Sequence, residues 1–292
     1  MKRGIAYASA AYLLWGVLPV YFKTLQQVGA LEILGHRIVW SLAVCTLLLL
    51  ALGRWQWLSE LGRQPRVLLW FATSSALVAA NWYVYIWAVN ADHVVDASLG
   101  YFINPLVNVL IGAAFLHEQL RRTQWLAVGI AALGVAWLTW QGGALPWIGL
   151  TLALTFSLYG LLRKTAALGP IEGLTLETLL LAPPAAFYLL WLVHTGQSGF
   201  ADGDGVTRLL LLAAGPVTAV PLLLFAAGAR RIRFSTLGLL QYLGPTLQLL
   251  FGVWLYQEPF AERAAGYAMI WLALAVFSVE GLMQGWRWRA SA

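Results

Sequence analysis

The stretch FINPLVNVLIGAAFLHE (residues 102–118) recurs as YLGPTLQLLFGVWLYQE (residues 242–258). In each copy a proline is followed by six residues, a glycine, five residues and a glutamate: Pro105, Gly112 and Glu118, then Pro245, Gly252 and Glu258, 140 residues on. A similar offset relates Lys23 to Lys164, Trp15-Gly16 to Phe156-Ser157, and Glu32 to Glu172. Apolar helices match one another by chance, so no single pair is decisive. Together the pairs point to a duplication.

Composition sets the medium in which the two copies fold. Of 292 residues, 61% are hydrophobic and 10% charged, against roughly 45–50% and 25% in a soluble domain. A soluble fold needs a polar surface that this chain cannot supply; a lipid-facing surface needs none. The mean hydropathy of +0.74 and the 16 tryptophans agree, because tryptophan collects at bilayer interfaces. The one cysteine, Cys45, lies in an apolar run, so there is no disulfide framework and no cysteine-based metal site. No cofactor motif is present. The net charge of +6 does not indicate nucleic acid, because basic residues fall in pairs and triplets between apolar runs. The apolar run Gly4–Phe22 follows Lys2 and Arg3 like a signal peptide, but no small-residue cleavage site follows it. It reads as a first transmembrane helix.

A span needs roughly 20 mostly apolar residues. The qualifying windows are 4–23, 31–52, 66–90, 96–116, 122–140, 145–163, 172–194, 206–228, 235–256 and 263–283. The connections are short, leaving no room for a soluble catalytic domain. With both termini in the cytoplasm, the inner segments carry Lys2, Arg3, Arg54, Arg63, Arg66, Arg121, Arg122, Arg163, Lys164, Arg230, Arg231, Arg233, Arg287 and Arg289. The outer ends carry only Lys23, Arg208 and Arg263. Fourteen against three is a strong positive-inside asymmetry, regular only for an even number of spans.

The expected fold is therefore an all-α membrane protein of ten transmembrane helices. Residues 1–142 and 143–292 form two five-helix repeats. Five is odd, so the second repeat enters from the opposite side. Inverted repeats are common in secondary transporters, where exchanging the packings of equivalent halves opens a central site to either face.

Several segments carry a family resemblance: AYLLWGVLPVYFK (11–23), EILGHRIVWS (32–41), NWYVYIWAVN (81–90), SLGYFINPLVNVLIG (98–112), GLTLETLLLAPPA (173–185) and STLGLLQYLGPTLQLL (235–250). In collinear order to about residue 280, the chain resembles the RarD subfamily of EamA-type transporters, in the drug/metabolite transporter superfamily. The resemblance implies ten helices with both termini inside. Helices 1–4 and 6–9 would surround a central cavity, with helices 5 and 10 peripheral. It implies transport and leaves the solute open.

Candidate residues follow from what is costly in hydrocarbon. Pro105 and Pro245 lie near mid-span and cannot donate to the carbonyls of Tyr101 and Gln241, which marks both as helix breaks lining a wet cavity. Asn104, Asn108, Gln241, Tyr242 and Gln248 gather there, and with Tyr101 they form a proposed solute pathway. The alternative is that the amides join helices. Asn81, Trp82 and Trp15, with Tyr12, would add a stacking wall, packing being the commoner use of membrane aromatics. Arg37 and His36 on helix 2 and Glu177 on helix 7 are intramembrane ionisable groups, hence candidates for coupling or gating. Each of Arg37 and Glu177 lies about 9 Å in from opposite faces of a core about 30 Å thick, which favours separate roles at two cavity mouths. Glu177 is the better proton carrier, since protonation of a partly buried carboxylate responds to its surroundings. His36 fits a packed, hydrogen-bonded role better. Ala127, Ala131, Ala132 and Ala136 suit close helix packing, within the chain or in a homodimer.

The function expected is an inner-membrane secondary transporter in a bacterium, moving a small-molecule solute, drug or metabolite, by alternating access and in the direction of export. A membrane enzyme is disfavoured: there is no HExxH, no GxSxG and no cluster of Asp or His ligands. A non-transporting scaffold or sensor is the alternative, weakened by loops too short for an output domain.

Overall fold

A computed structural model describes residues 2–61, 64–116, 121–164, 166–229, 231–232 and 240–290. Among the described residues the chain is helical, without strands. Hydrocarbon offers no partner to backbone N–H and C=O groups, so a chain this apolar folds into segments that bond internally. The helices are α1 (Lys2–Lys23), α2 (Ala30–Leu52), α3 (Gln56–Leu61), α4 (Pro65–Asn90), α5 (Val94–Leu116) and α6 (Arg122–Gly142). They continue with α7 (Trp147–Lys164), α8 (Pro170–His194), α9 (Gly205–Ala229), α10 (Leu243–Leu250) and α11 (Ala264–Ala290). A single π turn, Phe251–Leu255, extends α10. The short α3 lies in a connection that the sequence pattern leaves as polar loop.

Six of these helices contain stretches long and apolar enough to cross a bilayer: Lys2–Lys23, Ala30–Leu52, Pro65–Asn90, Arg122–Gly142, Pro170–His194 and Gly205–Phe225. Leu47, Leu50, Leu69, Leu133, Phe187, Leu190 and Trp254 stand exposed on the outside of the bundle. So broad an apolar surface fits lipid and not water. This is an all-α membrane protein.

Tight helix ends keep the connections short. α2 stops at Gly53, whose φ of 61° turns its N–H back to the carbonyls of Leu49 and Leu50. α4 ends just before Asp92, a non-glycine residue at φ 61°, in the left-handed region that Asp tolerates better than most.

The packing is set by small residues and by polar side chains that bond across helices. α4 and α7 run antiparallel, with Trp70 Nε1 donating to the Leu162 carbonyl (3.1 Å) and Asn81 Nδ2 to the Leu152 carbonyl (3.0 Å). α1 and α9 also run antiparallel: Tyr21 donates to the Leu210 carbonyl (2.6 Å), and Gly228 meets Ala8 near the other end. α5 touches α7 at glycines, where a Cβ on Gly100 would lie 2.6 Å from the Gly149 carbonyl oxygen. α2 sits against α8 and α9, and α10 against α1 and α5.

α6 and α11 form a peripheral pair, packed mainly on each other and on α5. Their contact is made by Gly134 and Gly266, flanked by Ala127, Ala131 and Leu138. Ala132 and Ala136 are exposed. Ala132 follows Ala131 by about 100° around the helix, so the pair Ala132 and Ala136 lies on a different face from the buried pair Ala127 and Ala131.

Candidate solute cavity

Seven helices contribute to the wall of a central cavity. α1 contributes Tyr12, Trp15 and Leu18; α2, Arg37; α4, Val78, Asn81, Trp82 and Tyr85; α5, Tyr101. α7 adds Phe156 and Tyr159, α9 Thr218 and Leu222, and the start of α10 Gln241, Gly244, Pro245 and Gln248. The cavity holds about 60 Å³, room for a few waters. Seven of its 17 lining residues are aromatic. Tyr12, Trp15 and Phe225 contact one another edge-on or tilted at 5.5 to 5.9 Å, and Tyr101 contacts Tyr85 and Phe156 in the same way.

The polar groups on this wall are few and incompletely bonded. Arg37 is buried, donates from Nε to the Thr218 hydroxyl (2.9 Å), and has its guanidinium 4.5 Å from the centre of the Trp82 ring and 5.3 Å from that of Phe22. No carboxylate pairs with it among the described residues, and its Nη1 has no hydrogen-bond partner. Gln248 donates from Nε2 to the Trp15 carbonyl (3.1 Å), leaving Oε1 without a donor, and the Tyr85 hydroxyl is also unpartnered. Asn81 is better satisfied, bonding Leu152, Thr155 and the Tyr101 hydroxyl.

The expected pathway residues divide. Tyr101, Gln241, Gln248, Asn81, Trp82, Trp15 and Arg37 share the cavity wall; Asn104, Asn108, Tyr242, His36 and Glu177 do not. Asn104 is fully buried against α7, where Ser157 donates to its side-chain oxygen, so it joins helices as the alternative held. Asn108, one turn on, is only partly buried. Tyr242 stands beside Gln241 in the turn before α10 but faces Phe102 and Trp271 instead. His36 accepts from Trp40 Nε1 at 3.1 Å and lies against Phe200, away from the cavity.

The two prolines act differently from the expected mid-span breaks. α5 continues through Pro105 without a break. Pro245 stands in the first turn of α10, where its missing N–H is of little consequence, and the break lies before it at the turn residues Gln241 and Tyr242.

Glu177 belongs to a separate cluster behind the cavity wall. Its carboxylate accepts from Ser74 (2.5 Å) and from the Tyr159 hydroxyl (3.3 Å), with Arg163 Nη1 at 3.6 Å. Tyr159 lines the cavity and so connects the two. Gly173 makes room for Arg163, since a Cβ there would fall 1.9 Å from Nη1. Sequence reasoning named neither Tyr159 nor Tyr85 and Phe156 as site residues. The repeat offset applied to Trp15 leads to Phe156 and applied to Leu18 leads to Tyr159.

At the opposite end, charges tie helix termini together. Lys23 pairs with Asp92, and Arg263 bonds Asp96 at 2.5 Å. Glu258, buried, accepts from the Val94 and Val95 N–H groups at 2.8 Å each, capping the start of α5. Burial pushes the Glu258 carboxyl above the ordinary carboxylate range, against the pull of those two N–H bonds.

Residues 2–140 match the EamA-like transporter family. An uncharacterized transporter of Vibrio cholerae is 46% identical over 97% of this chain and 94% of its own. A protein named RarD from Streptomyces exfoliatus is 48% identical over 99% of this chain and 92% of its own. A solved crystal structure shares the fold, with a TM-score of 0.61 and 22% identity over 96% of this chain and 98% of that one.

Proposed function

The chain belongs to the RarD subfamily of EamA-type transporters, a bacterial inner-membrane family of the drug/metabolite kind, and from that premise we propose that it exports a small organic solute by alternating access of the central cavity. The observation that carries the proposal is the pairing of cavity positions across the two repeats, residues 1–142 and 143–292. Val78 pairs with Thr218, Trp82 with Leu222 and Tyr101 with Gln241, each 140 residues apart; Trp15 pairs with Phe156 and Leu18 with Tyr159, each 141 apart. Every one of these residues lines the cavity.

Helix neighbours obey the same exchange. α1 beside α9 corresponds to α7 beside α4, α1 beside α10 to α7 beside α5, and α2 beside α9 to α8 beside α4. The self-paired contacts are α2 with α8, α5 with α10 and α6 with α11. Two such halves give one chain two packings of comparable energy, each opening the site to one face. Glu32 and Glu172 act alike too: Glu32 accepts from the Gly199 and Phe200 N–H groups in the α8–α9 connection, and Glu172 pairs with Arg54 just after α2.

The charge asymmetry of the loops supports an orientation with both termini in the cytoplasm and the Lys23–Glu258 end outside. Closure at that end fits a cavity that loads from the cytoplasm. Glu177 is the proton-coupling candidate, reaching the cavity through Tyr159. Reconstitution in liposomes with a panel of metabolites and amphiphilic drugs tests the proposal: solute-specific flux above protein-free vesicles supports it, and no flux across the panel sinks it.

A further inference from the structure

We infer that the solute is a small organic monoanion, a carboxylate on an apolar body that also carries an N–H or O–H donor. The assignment rests on the central cavity being the solute site and adds the chemistry that site selects. Arg37 is the only charged residue among the described residues lining the cavity. It is buried, and one hydroxyl and two ring faces do not neutralise it. A guanidinium withdrawn from water calls for an anion able to take its free N–H groups.

Three side chains with unmet bonding capacity share this wall. Arg37 Nη1 is a donor without an acceptor, Gln248 Oε1 an acceptor without a donor, and the Tyr85 hydroxyl can do either. All three residues line the same cavity. Thr218 holds Nε, and Trp82 lies against the guanidinium, so its orientation is preset before any ligand arrives. A carboxylate matches the guanidinium fork. A neutral amide would occupy the N–H and leave the charge unbalanced. A dianion such as a phosphate monoester would bring a second charge with no cation to meet it among the lining residues described. The aromatic wall takes the apolar body, and Gln248 takes the donor.

Calorimetry on the full purified chain tests this with three probes: 4-hydroxyphenylacetate, its neutral amide, and 4-methoxyphenylacetate, which keeps the charge and loses the donor. The acid is expected to bind at least about tenfold tighter than the amide, the worth of one charge-assisted hydrogen bond, and the methoxy acid to fall between them. Arg37→Gln should erase the preference for acid over amide and Arg37→Lys should retain part of it, with the thermal midpoint reporting whether each variant is folded. The comparison on the unaltered protein needs no variant. Equal binding of acid and amide, or no binding of these or other small carboxylates, overturns the inference. Flux that ignores the carboxylate would overturn it while leaving transport intact; acid-selective binding without flux of any solute would uphold the site and sink the transport proposal.

Discussion

The guanidinium of Arg37 lies 4.5 Å from the centre of the Trp82 ring, one residue from α2 and one from α4. A cation over an indole face gains about 2 kcal/mol where water is excluded. Trp82→Leu should therefore lower the stability of the protein in detergent by about 2 kcal/mol and weaken solute binding at least several-fold. Chemical denaturation and calorimetry on one preparation read both quantities; unchanged binding would remove Trp82 from the site.

Glu258 predicts a pH response whose sign can be worked out. Its carboxyl is raised when closed over α5, relative to a hydrated carboxylate. The closed arrangement therefore binds the proton more tightly, and acidification favours closure in the interval between the hydrated and buried values. Above the buried value both states are ionised and the effect vanishes. The reactivity of a cysteine at Leu18 toward an impermeant reagent applied from the Lys23 side should fall as pH drops; a rise would contradict the assignment.

Gly173 separates position from stability. A Cβ at 1.9 Å from Arg163 Nη1 must move that side chain, and the far end of an arginine moves easily. Gly173→Ala should cost about 1 kcal/mol or less of stability yet withdraw Arg163 from Glu177. Flux driven by a pH gradient should change more than tenfold with the thermal midpoint nearly constant. Equal pH-gradient responses in the two proteins would separate Arg163 from coupling.

Glu177→Gln keeps the shape and removes the titrating group. Coupled movement driven by a pH gradient should be lost, while solute exchange without a gradient continues. Unchanged pH dependence of flux would take Glu177 out of the mechanism.

Much of the helix layout is legible in the sequence because hydrocarbon leaves the backbone few choices and because charge punctuates the chain. The proposed repeat is legible for a different reason: Pro105 and Pro245, or Glu32 and Glu172, are conspicuous against an apolar background. The face each residue presents is much harder to read. In a helix apolar all round, such as α2, no polar stripe tells that Arg37 turns to the cavity and His36 away from it. Asn104 and Gln248 look equivalent by type, yet the first accepts from Ser157 away from the cavity while the second lines the cavity with an open acceptor. Pairings such as Arg163 with Glu177 depend on Gly173 making space, which only packing reveals.

Two-sided accessibility of Leu18, a cavity position on α1, tests alternating access most directly. With Cys45→Ala as background, Leu18→Cys would be exposed in sealed vesicles to an impermeant thiol reagent from each face in turn. The account predicts labelling from both faces, with solute shifting the ratio between them. Labelling from a single face under every condition would contradict it.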